Sequence, residues 1–167
     1  MIILVNDANI LIDLLKLDLI DHFFDLDCEF HVTDFVMAEI QEENADKLDL
    51  LIQNGKLTKR VFEFDEIGRI SDLESRHPGL SIADCSCLYL AGGLSAILLT
   101  GDAALRKNAE RRNITVHGLL WVFDELVDHS IVTRETALDK LKMMMDANPR
   151  LPFEECKKRL LKWKEHL

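Results

Sequence analysis

The sequence has little proline and glycine, three and seven residues in 167, and it shows no internal repeat, low-complexity segment or flexible linker. Its four cysteines, Cys28, Cys85, Cys87 and Cys156, include a CxC pair but no paired CxxC, and the histidines are scattered. That pattern excludes the spacing of a structural zinc site and predicts buried, reduced thiols. No apolar run approaches the roughly 18 residues of a membrane span. The opening "MIILVND" lacks the basic start and long apolar stretch of a signal peptide, so a cytoplasmic protein with no membrane partner is expected. An excess of basic charge is missing too. The formal charge of -10 excludes a protein that coats nucleic acid by charge alone.

The acidity is local. Residues 1–54 hold 13 acids against 2 bases, whereas residues 55–167 hold 17 against 18. Basic clusters at 106–112 and in "KKRLLKWK" at 157–164 have the charge to meet phosphates.

What is present is alternation. Short β-type runs, "IILV" at 2–5, "EFHV" at 29–32, "LTKRVF" at 57–62, "AILL" at 96–99 and "ITVH" at 114–117, alternate with amphipathic stretches at 8–24, 34–54, 65–76, 81–92 and 101–112. Such order predicts right-handed crossovers and a mostly parallel sheet covered by helices on both faces, with any ligand outside the carboxyl ends of the strands. Beyond Gly118 the pattern is wholly helical, through "LLWVFDELVDH" and "TRETALDKLKMMMDA", a break at "NPRLP" and a last helix over 153–165. The expected organisation is one domain over 1–130 with a helical extension over 131–167 packed on it. Trp121, Phe123 and Trp163 are assigned to core in preference to partner packing, which would require their exposure in the monomer.

Acids stand where such a sheet presents its ligand. Asp7 follows the first strand in "LVNDANILIDLL", and Asp102 follows the fourth in "LLTGDAAL". Asp84, in "SIADCSCLYLA", is the third residue of the helix leading into the fourth strand, and Glu39, in "TDFVMAEIQEE", is expected near the middle of the helix after the second. Singly, Asp7 and Asp102 fit helix N-caps, Ser81-x-x-Asp84 fits a capping box, and Glu39 fits a surface position. Glu39 also stands beside an apolar stripe, where a carboxylate needs a reason.

Together they read differently. Four carboxylates in one cleft repel and raise one another's pKa unless cations compensate, and an all-oxygen set suits Mg²⁺ or Mn²⁺. An ion held this way acidifies a bound water and neutralises charge growing on a phosphodiester, which is hydrolytic chemistry. Asn9 and Thr100, beside the acids, carry groups suited to orienting a ligand, a water or a phosphate oxygen, although Thr100 also fits a local backbone bond.

The order Asp7-Ala-Asn9, Glu39, Asp84 and Thr100-Gly-Asp102 resembles a PIN (PilT N-terminal) domain, and "LLTGDAALRKNAERRNITVHGLLWVFDEL" is similar to its VapC-like branch. The resemblance covers about residues 1–130, and the helical tail is similar to that of longer members. It implies a three-layer α/β/α sandwich around a five-stranded parallel sheet. It further implies a Mg²⁺- or Mn²⁺-dependent endoribonuclease in which Asp7, Glu39, Asp84 and Asp102 hold the metal, the toxin of a toxin–antitoxin pair. A homodimer and a cognate antitoxin are the implied protein partners, with RNA as substrate. Some members carry another acid after the equivalent of Asp102, where Ala103, Ala104 and Leu105 stand here.

The helix behind Asp102 offers Arg106, Lys107, Arg111 and Arg112 as an RNA-backbone track. At about 100° per residue these bases cannot all touch one strand. Two rival functions compare less well. A haloacid-dehalogenase-like phosphatase needs a second Asp where Asn9 stands and a Lys between Thr100 and the last acids. The other is a catalytically silent PIN-like scaffold for RNA or protein, against which the four intact acids count.

Overall fold

The computed structural model describes residues 1–167. Along the chain lie β1 (Ile2–Asn6), α1 (Ala8–Lys16), α2 (Ile20–Phe23), β2 (Cys28–Thr33), α3 (Asp34–Glu39), α4 (Glu42–Gln53), β3 (Thr58–Arg60) and α5 (Phe64–Arg76). There follow α6 (Ile82–Leu94), β4 (Ile97–Leu99), α7 (Ala103–Arg111), β5 (Val116–His117), α8 (Leu119–Asp128), α9 (Arg134–Ala147) and α10 (Phe153–Glu165). No helix is long and apolar enough to cross a membrane.

All five strands are parallel, in the order β3-β2-β1-β4-β5. The expected sheet flanked by helices is therefore present. The central strand β1 pairs with β2 through Val5↔His31 and with β4 through Val5↔Leu98. Leu4, Val5, Val32, Leu98 and Leu99 are completely buried; each such side chain contributes about 1.5–3 kcal/mol by leaving water. Thr58, Lys59 and Arg60 of β3 are all exposed at one edge, where a short charged strand resists further pairing. From β1 the chain winds outward to β2 and β3, then crosses to β4 on the other side of β1. The carboxyl ends of β1 and β4 thus flank the switch point of the sheet, where α/β folds open a crevice.

Two of the expected helices are broken. The stretch 8–24 divides at Asp18, whose φ of 55° places it in the left-handed region and ends the first helical segment. The stretch 34–54 divides at Ile40, which is extended at φ -87° and ψ 128°, and α4 starts afresh from Gln41. Burying the Ile40 side chain takes precedence over the continuous helical periodicity.

The chain forms two compact units, residues 1–12 with 27–119, and residues 13–26 with 120–167. The first contains the sheet. In the second, α9 packs on α10, and the Phe123 and Trp163 rings lie 6.1 Å apart, each only 1% exposed. Their assignment to core holds; Trp121 is half-buried. Arg159 of the basic tail grips Asp124 with both Nε and Nη2 at 2.7–3.1 Å, so that charge is committed within the unit.

Candidate metal centre at the carboxyl edge of the sheet

Asp7 is the deepest acid, 5% exposed at the end of β1. Its backbone N–H donates to the Leu99 carbonyl at 3.0 Å, extending the β1–β4 ladder by one residue. Its side chain is fixed from two sides: Oδ1 accepts from the Ala8 N–H at 2.8 Å, and Oδ2 accepts from the Thr100 hydroxyl at 2.7 Å. Fully buried Thr100 in turn accepts from the Asp102 N–H at 3.0 Å, and Asn9 Oδ1 accepts from the Gly101 N–H at 3.3 Å. Both polar residues singled out in the sequence therefore staple the β4–α7 turn to the start of α1, and Thr100 links Asp7 to Asp102.

Asp102 is the N-cap of α7, where Oδ1 accepts from the Leu105 N–H at 2.8 Å. Asp84 completes a capping box: Oδ2 accepts from the Ser81 N–H at 2.9 Å, and the Ser81 hydroxyl accepts from the Asp84 N–H at 3.1 Å. The capping explanation is correct for both, and it occupies one oxygen of each carboxylate.

Glu39 departs from its expected place. It is the last residue of the short α3, and it is exposed, because the chain turns extended at Ile40 and buries that residue instead. A carboxylate at a helix C-terminus opposes the backbone dipole, so local stability does not explain it.

Three buried polar residues that the sequence reading missed support these acids. The Thr33 hydroxyl caps α3 by accepting from the Val36 N–H at 3.0 Å, and it lies 2.8 Å from the Ser86 hydroxyl. Ser86 donates its proton to the Ala83 carbonyl at 2.6 Å, so the bond between the hydroxyls runs from Thr33 to Ser86. This chain ties the helix bearing Glu39 to the helix bearing Asp84. Asn6, wholly buried beside Asp7, donates to the His31 carbonyl at 3.1 Å, while its Oδ1 has no partner. Only Asn6, ending an apolar run, left a signal legible in the sequence.

Electrostatics divides the four acids. Burial, opposed by the bonds from Thr100 and Ala8 and reinforced by Asp84 and Glu39, pushes the Asp7 carboxyl up to about 6. Burial and then the charge of Asp84 also raise Glu39. The buried Cys87 thiol, raised chiefly by desolvation, feels the same three carboxylates. Asp7, Glu39 and Asp84 are thus in mutual range, and Asp102 joins them through Thr100.

None of the four makes an ion pair. No group of three or more Asp, Glu, His and Cys side chains is drawn together closely enough to hold an ion by itself. The donor set nevertheless fits a hard cation, since Mg²⁺ characteristically takes one or two carboxylates and keeps several waters. Stability in chelator separates the two capping acids. Asp102→Ala is expected to lower it by about 1 kcal/mol, as loss of an N-cap does. Asp84→Asn is expected to be close to neutral, because the weakened capping box is offset by relief of repulsion. Thermal melts check both, and a loss in Asp84→Asn equal to that in Asp102→Ala would remove the repulsion argument.

The basic residues after Asp102 diverge. Arg106 Nη1 donates to the Val116 carbonyl at 3.5 Å, Arg112 Nη2 donates to His77 Nε2 at 3.1 Å, and Lys107 and Arg111 are exposed on α7.

Solved structures resemble the chain at low identity. VapBC-1 from nontypeable Haemophilus influenzae is 15% identical with a TM-score of 0.49, covering 71% of this chain and 99% of that one. VapBC2 from Rickettsia felis, bound to a DNA fragment from its promoter, is 16% identical with a TM-score of 0.45, covering 70% and 98%. FitAcB from Neisseria gonorrhoeae is 13% identical with a TM-score of 0.44, also covering 70% and 98%. No curated protein matches the chain significantly. A family model described as a PIN domain, DUF3368, matches residues 3–165, nearly the full length, and the chain belongs to the PIN domain family.

Proposed function

We propose that this PIN domain is a Mg²⁺- or Mn²⁺-dependent endoribonuclease and the toxin of a toxin–antitoxin pair, with Asp7, Glu39, Asp84 and Asp102 as its metal-holding acids. The observation that carries the proposal is the state of Asp7. A buried carboxyl is held by two hydrogen bonds in one orientation, pushed up to about 6, set among other acids and given no cationic partner. Burial first, and repulsion by Asp84 and Glu39 after it, cost stability unless a cation relieves them.

A divalent ion bound there supplies Lewis-acid charge and an acidified water for phosphodiester hydrolysis. The residues of the chain prepare for it. Thr100 and Ala8 lock the Asp7 carboxylate, and the capping bonds hold one oxygen each of Asp84 and Asp102 while leaving the other for a ligand. Glu39, at the exposed end of α3, closes the set without a structural bond of its own. The proposed partners are RNA, a second copy and a cognate antitoxin; an acidic cleft of this kind favours a basic antitoxin segment.

Calorimetric titration with Mn²⁺ tests the proposal before any RNA target is known. The wild type is expected to bind, and Asp84→Asn and Asp102→Asn to lose at least about tenfold in affinity, the effect of disturbing even outer groups of a metal site. Absence of binding in the wild type would favour the silent scaffold.

A further inference from the structure

We propose that the groove between α5 and α6 is a lane for single-stranded RNA, with Arg69, Arg76 and Arg112 on the phosphates. This rests on the ribonuclease reading and assigns the part of the protein that holds substrate away from the acids. A nuclease with a net charge of -10 must collect cations somewhere along its substrate path, and the bases of α7 do not line up.

The sheet-bearing unit carries a groove of about 960 Å³, lined by α5, α6 and the segments around β3 and β5. Arg69 and Arg76 lie seven residues apart on one face of α5, about 10 Å along its axis. Arg112, at the end of α7, reaches the same groove from another element. These three are under-used in the free protein. Arg69 has only a 4.0 Å contact with Asp65, Arg76 has no ion pair, and Arg112 bonds only a histidine nitrogen.

The acids of the groove do not cancel them. Glu66 accepts from the Glu63 N–H at 3.0 Å and from Arg60 at 2.9 Å, and a bond with Tyr89 further lowers its pKa. Its charge is therefore satisfied within the protein, leaving Asp72 as the one acid opposing three arginines. Planar guanidinium forks suit phosphate oxygens.

The floor is apolar, with Leu73, Leu94, Ile114 and the ring of Tyr89 providing faces on which bases can lie. His31 also lines the groove, and its buried Nδ1 has no partner. Arg60, which lines the groove, pairs in register with Thr33, the cap of the helix that ends in Glu39. The proposed lane therefore presents arginines spaced along an apolar floor.

The test is fluorescence anisotropy with a labelled oligouridine of about 12 nucleotides, within the usual range of single-strand sites. The full chain carries Asp7→Asn so that the probe stays intact. In that background Arg69→Ala combined with Arg76→Ala is expected to weaken binding at least about tenfold. It should also flatten the logarithmic salt dependence by about 1.4, or 0.7 for each lost phosphate contact. Arg112→Ala is expected to act in the same direction, and Lys107→Ala to have little effect.

Unchanged affinity and salt slope in both groove variants would overturn the proposal and turn the groove over to an acidic protein segment. These arginines are exposed, so the fold should persist, and circular dichroism verifies it. Mn²⁺ calorimetry keeps the two proposals separable. Groove variants that bind RNA normally in that background and, with Asp7 restored, keep metal-dependent cleavage refute the lane alone; RNA held in the groove by a chain with Asp7 intact that binds no Mn²⁺ refutes the metal centre alone.

Discussion

Asp7→Asn is expected to abolish RNA cleavage in a preparation free of contaminating nuclease, a loss of at least about 10²–10³-fold, the scale of removing one preorganised charge-stabilising group. The substitution is nearly isosteric, and an amide oxygen still accepts from the Ala8 N–H. Packing should therefore survive while the negative charge is lost. Thr100 gives the companion result. It touches no substrate and acts through Asp7 and the Asp102 backbone, so it is a positioning residue. Thr100→Val should reduce Mn²⁺ affinity about 10–100-fold, and Thr100→Ser, which keeps the hydroxyl, should restore most of it. Cleavage unchanged in Asp7→Asn would sink the catalytic assignment. Failure of the Ser variant to rescue would make Thr100 a matter of packing.

The metal-free protein is expected to lose stability as the pH rises from 4 to 7, and Asp7 is the main cause. Its carboxyl is pushed from 3.8 up to about 6 in the folded state. Between those values the folded chain holds a proton that the unfolded chain has released, so stability falls with rising pH. The penalty is absent below the unfolded value and complete above the folded one. That rise corresponds to about 3 kcal/mol.

Denaturant titrations in chelator should show this decline in the wild type and a shallower one in Asp7→Asn, where the raised Glu39 and Asp13 remain; Asp7→Asn is the more stable of the two at pH 7. Saturating Mn²⁺ should reverse the order above pH 6. At a thousand times its Kd, a ligand adds about 4.1 kcal/mol to a protein that binds it only when folded, more than the penalty it must overcome. A parallel decline in Asp7→Asn would assign the pH dependence to other groups.

Much of this was legible beforehand. The alternation of apolar runs with amphipathic stretches marked all five strands: the central ones because parallel strands must be apolar on both faces, and the edge strand β3 through the flanking Leu57, Val61 and Phe62. Asp7 and Asp102 were legible as acids directly after such runs, and Asp84 as the fourth member of Ser81-x-x-Asp84. Glu39 stands out in the sequence for its place beside an apolar stripe, yet it is exposed, at the end of a helix shorter than the pattern predicts. Periodicity continues through Ile40, and nothing local records that the backbone turns there.

Sequence alone determined the parallel α/β class, the position of Asp7, Asp84 and Asp102 at strand ends and helix starts, and the shortage of basic charge in the first third of the chain. These follow from patterns of period two and 3.6 and from local capping chemistry, which act over a few residues. The tertiary structure decided which groups meet. Thr100 stands 93 positions from the carboxylate it orients, and the Thr33 hydroxyl bonds Ser86 across 53. Arg69, Arg76 and Arg112 come to one groove from α5 and the end of α7. Such pairings depend on strand order and crossover, and chain spacing records neither.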